Sequence, residues 1–62
     1  ISVSTPYGSV AVKVSTGPGA LCKAYPEYAS CKKVAQRKRV SFLEVYTAAQ
    51  EAAMQLQKAG AL

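Results

Sequence analysis

The spacing of apolar residues changes at Tyr25-Pro26-Glu27, and that change restricts the chain to strands first and helices second. Upstream, Ser2-Val3-Ser4 and then Ser9-Val10-Ala11-Val12-Lys13-Val14-Ser15 alternate with period two, the mark of a strand with one face buried. Downstream, Tyr28, Cys31, Val34 and Ala35 recur at helical spacing, as do Phe42, Val45, Ala49, Ala52 and Leu56. The expected fold class is therefore α+β: a small antiparallel β-meander of two to three strands followed by a helical hairpin. Residues 1–62 form a single small domain, with strands in 1–25 and two helices in 26–59.

Turn formers place the breaks. Pro6 presets φ for a central turn position and Gly8 supplies a positive φ, so Ile1–Thr5 and Ser9–Ser15 should pair as a hairpin. In that pairing Val10, Val12 and Val14 face the core, while Ala11 and Lys13 face away. Gly17-Pro18-Gly19 reads as a second turn, since it lacks the Gly and Lys of a phosphate-binding loop, and Ala20–Ala24 as a short third strand.

Pro26 suits the first position of a helix, because its fixed φ is nearly helical and its missing N–H is not needed there. The first helix is expected from Pro26 to about Lys38, with Glu27 in its first turn facing the positive end of the helix dipole. Tyr28 and Cys31 should then point toward the valines of the second strand, and Tyr7 and Tyr28 should pack together. Ser41-Phe42-Leu43-Glu44 has the form of a capping box and starts the second helix, which Gly60 ends. Four alanines in that helix allow close approach by a neighbouring helix or subunit, so a homo-oligomer is expected.

At 62 residues the core must be thin, because so short a chain buries only about 60% of its unfolded surface. Support from the remainder of a parent chain is expected, as is an origin in a longer protein, since the first residue is Ile1. Eight Lys and Arg against three Glu give a charge of +5, which suits an anionic partner. There is no His, so the commonest general base and metal ligand is missing. Cys22 and Cys31 are too few for a disulfide framework or a structural zinc site and read as reduced thiols, with Cys31 buried. No apolar run is long enough for a membrane span, and the chain reads as soluble, without a membrane partner.

Lys32-Lys33 and Arg37-Lys38-Arg39 form a basic run, but no aromatic residues interleave to stack bases, so nucleic acid is disfavoured as a partner. Lys13 is the more informative cation. A lysine held on a strand can bind a phosphate as a point charge, although an edge charge that discourages strand aggregation is the simpler reading. Glu27 is an anchor or ligand candidate against the simpler dipole role. No catalytic constellation is visible, and no residue is assigned as catalytic or metal-binding.

One ordered set of motifs goes further. Thr5-Pro6-Tyr7-Gly8, Val10-x-Val12-Lys13-Val14, Pro26-Glu27-Tyr28-x-x-Cys31 and Val45-Tyr46-x-Ala48-Ala49 together resemble the carboxyl-terminal end of the LarC family. That family inserts nickel into pyridinium bisthiocarboxylate mononucleotide, the nickel-pincer cofactor of lactate racemase. The resemblance implies a cytoplasmic parent enzyme of the lyase class that uses CTP with a divalent cation, Mn or Mg, to place nickel on carbon and sulfur of the nucleotide substrate. It also implies that this segment is mainly structural or assembling. Lys13 and Glu27, which match the family pattern, are the candidate nucleotide or cofactor contacts. Between the helices the family usually carries acids and a Gly where this chain has Arg37-Lys38-Arg39, and Cys22 is atypical. The alternative is a stand-alone basic module that binds nucleic acid or an acidic protein.

Overall fold

The computed structural model describes residues 1–17 and 22–60, and its element order is three strands followed by two helices. The fold class is the expected one. Strands β1 (Ser2–Thr5), β2 (Gly8–Thr16) and β3 (Cys22–Pro26) form an antiparallel sheet in the order β1-β2-β3. Most of the expected Gly17-Pro18-Gly19 turn and the first two residues of the expected Ala20–Ala24 strand lie outside the described residues, as does the side chain of Cys22.

The first hairpin turns at Pro6-Tyr7. Gly8 takes φ of +123°, a conformation that disfavours any side chain. The Thr5 hydroxyl tightens the turn by accepting from the Tyr7 N–H at 3.1 Å and donating to the Gly8 carbonyl at 2.7 Å. Val3 stands opposite Val10, so both point to the same face of the sheet.

Pro26 is not the first helical residue. It ends β3, buried and opposite Val12, and helix α1 spans Tyr28–Lys38. The reason lies in the ladder. The Glu27 N–H donates to the Ala11 carbonyl at 2.9 Å, so strand alternation turns the N of Pro26 toward the open edge, where no donor is required. Glu27 is consequently the extended residue before α1, with φ −77° and ψ 130°, and α1 has no acid in its first turn.

Helix α1 buries Cys31, Val34 and Ala35, but Tyr28 is 66% exposed. Its ring lies 4.8 Å from that of Phe42, not against the valines or Tyr7, because the chain has only just left the sheet at that turn. Phe42 stacks in turn on Tyr46 at 5.7 Å. Helix α2 (Phe42–Lys58) opens on the capping box with both bonds made: Ser41 Oγ accepts from the Glu44 N–H at 3.1 Å, and Glu44 Oε2 accepts from the Ser41 N–H at 3.3 Å. Gly60 closes it with φ of +74°.

The core lies between one face of the sheet and both helices. It consists of Val3, Val10, Val12, Cys31, Val34, Ala35, Val45, Ala49 and Ala53. Among the described residues nothing larger than valine is fully buried there, so each position contributes modestly. No helix among the described residues is long and apolar enough to cross a membrane.

Candidate functional site

The helices cover one face of the sheet and leave the other open. Lys13 and Tyr25 are direct cross-strand partners there, and Ser15 stands opposite Lys23. Residues of one strand that share a face are two apart, so Lys23, Tyr25 and the extended Glu27 follow one another along β3 and its continuation. Lys13, Lys23 and Glu27 are exposed, and Tyr25 is 50% exposed. Glu27 is held by its backbone bond to Ala11, the neighbour two before Lys13 on β2. The fold thus brings Lys13 and Glu27, distant in sequence, to diagonal positions on one solvent-facing surface.

Neither has an ion-pair partner within 4 Å among the described residues. Both are therefore free to meet a ligand, which is the condition a phosphate-binding lysine must satisfy. Chemically the surface offers two ammonium groups, one carboxylate and one tyrosine ring face, a set able to bind an anion and to stack a planar ring. These four side chains include no nucleophile paired with a base. Among the described residues no three His, Cys, Asp or Glu side chains come together in a group that could hold a metal ion.

Tyr25 and Lys23 are not apparent as site residues while the third strand is taken to end at Ala24. The signal lies in the alternation of Lys23, Tyr25 and Glu27, visible once Pro26 is allowed to end a strand. Away from this face, Lys32, Lys33, Arg37, Lys38 and Arg39 are all exposed around α1. Cys31 is a free thiol with no exposed surface, and burial pushes its pKa up, so it is poorly placed to react.

The relatives of this chain give the surface a context. A family model described as "Nickel insertion protein" matches residues 1–46, which include all three strands, α1 and the start of α2. The chain belongs to the nickel insertion protein family. This member is 46% identical over 48 residues to the pyridinium-3,5-bisthiocarboxylic acid mononucleotide nickel insertion protein of Thermotoga petrophila, a match covering 77% of the chain and 12% of the relative. Against the protein of the same name from Lactiplantibacillus plantarum it is 46% identical over 56 residues, covering 90% and 13% respectively. It therefore spans about one eighth of the length of these relatives. Among solved structures it is similar to LarC2, the C-terminal domain of a cyclometallase involved in synthesis of the NPN cofactor of lactate racemase, in its apo form. The TM-score is 0.80 at 45% identity, over 86% of this chain and 36% of that one. The fold of this family member is thus that of part of the LarC C-terminal domain.

Proposed function

We propose that this chain is the terminal part of a cytoplasmic enzyme that inserts nickel into pyridinium bisthiocarboxylate mononucleotide, using CTP with Mn or Mg, and that forms homo-oligomers. Nickel is a substrate in this reading, and the nickel-holding groups belong to the rest of the parent protein. The segment supplies framework, and its open sheet face borders the nucleotide site. There Lys13 meets a phosphate as a fixed positive charge, and Glu27 anchors the substrate or the neighbouring domain. The observation that carries the proposal is the similarity to LarC2 at 45% identity over 86% of this chain.

The experiment is a graft. The 62 residues replace the matching stretch of the Lactiplantibacillus plantarum protein, and nickel insertion is assayed with CTP and manganese. Retained insertion is the expected result, whereas a folded graft that binds CTP but inserts no nickel would overturn the assignment.

The exposed basic residues around α1 favour a second reading, a module that binds an acidic protein or nucleic acid through this surface. Titration with a short DNA duplex at two salt concentrations separates the two. Tight binding with a steep salt slope belongs to the second reading alone.

A further inference from the structure

The two edges of the sheet are built differently. Hydrogen bonds join Ile1 and Val12 in both directions, at 2.7 and 3.2 Å. By antiparallel alternation Val3 and Thr5 also turn their backbone groups to β2, while Ser2 and Ser4 turn theirs outward. Among the described residues neither serine has a further partner. Strand β1 reads Ser-Val-Ser-Thr, with no charge and no proline to discourage pairing. On the opposite edge, β3 carries Lys23 and ends on Pro26, whose outward N lacks a donor. Of these two edges, β1 is the one open to another strand.

Beside that edge runs a groove lined by Ser2, Val3 and Ser4 on one side and by Ala52, Gln55, Leu56 and Ala59 on the other. The second half of α2 packs beside β1 and gives this groove a mostly apolar floor of Ala52, Leu56 and Ala59, with Gln55 among them. We propose that this edge and groove receive an extended, uncharged segment that pairs with β1 through Ser2 and Ser4 and lays every second side chain, an apolar one, on Ala52, Leu56 and Ala59. The segment comes from the rest of the C-terminal domain, of which this chain matches 36%. A second copy of the chain is the poorer occupant, because each copy carries a charge of +5. The proposal rests on the reading of the chain as part of a LarC-type domain.

Hydrogen exchange tests it. In the 62-residue chain alone the Ser2 and Ser4 amides exchange as exposed groups, and in a graft of the chain into the solved LarC2 domain they slow by about 100-fold or more. Ser4→Pro removes an outward N–H, so it leaves the melting temperature of the isolated chain nearly unchanged and lowers that of the graft. Fast exchange in a folded graft, or equal effects of Ser4→Pro in both settings, overturns the proposal. Protection in the isolated chain that grows with concentration overturns it in favour of a second copy. Should the graft not fold, the amides of LarC2 itself at the two matching positions decide the matter: slow exchange supports the added strand and fast exchange removes it. Slow exchange together with lost nickel insertion would sink the functional reading and leave the added strand standing.

Discussion

Ser30, in the first turn of α1, accepts a hydrogen bond at 2.9 Å from the backbone N–H of Ala11 in the middle of β2. In a continuing ladder that N–H would donate to the carbonyl of Glu27. That carbonyl is instead taken by the Cys31 N–H as the first bond of the helix, at 3.1 Å. A side chain of the helix thus completes the sheet at the point where the strand stops.

Ser30→Ala would leave the half-buried Ala11 N–H without its partner. The expected loss is about 1–2 kcal/mol, the cost of an unsatisfied backbone donor in partial shelter. Urea denaturation measures it, and a midpoint equal to that of the parent chain would mean that water replaces the hydroxyl fully.

Arg39 ends α1 in the left-handed conformation, with φ of 56° and ψ of 44°. A side chain is strained there and glycine is not. Arg39→Gly should therefore raise stability by about 0.5–1 kcal/mol, visible as a higher melting temperature.

Burial raises the pKa of Cys31, so the folded state resists ionisation that the unfolded state allows. Below the ordinary thiol pKa of about 8.5 this group leaves stability unaffected. As pH rises above that value the unfolded chain sheds a proton that the folded chain retains, and stability falls. Denaturation at neutral and at alkaline pH should show a steeper loss for the parent chain than for Cys31→Ala.

Lys13→Ala, made in the grafted enzyme, should weaken CTP binding by about tenfold, near the lower end of what a charged hydrogen bond is worth. Lys13 is exposed, so the variant should melt with its parent. Calorimetric titration that finds unchanged affinity removes Lys13 from the site. Glu27→Gln, tested alongside, should alter affinity without altering the fold.

Local chemistry made most of the fold legible. Pro6 and Gly8 marked the first turn, Ser41 and Glu44 marked the start of α2, and the alternating valines marked the buried face of β2. What sequence could not decide was Pro26. Its φ is compatible with a helix start and with an extended strand, and the choice was made by pairing with Val12 across the sheet. Moving that boundary also moved Glu27 out of the helix and brought Tyr25 onto the face that carries Lys13. Tyr28 followed helical spacing correctly and still pointed outward, because spacing specifies a stripe and not where the surface beneath it ends. The candidate pair was legible as two residue types, and its common face only from the register of β2 with β3.

The size of the buried residues has a thermodynamic consequence. With valine as the largest fully buried side chain among the described residues, unfolding this chain absorbs little heat and exposes little apolar surface. At about 0.7 kcal/mol per residue near 60 °C, the heat absorbed by 62 residues is too small for a sharp thermal transition. The isolated chain should melt gradually over a wide temperature range on a shallow stability curve, and attachment to a larger domain would sharpen it.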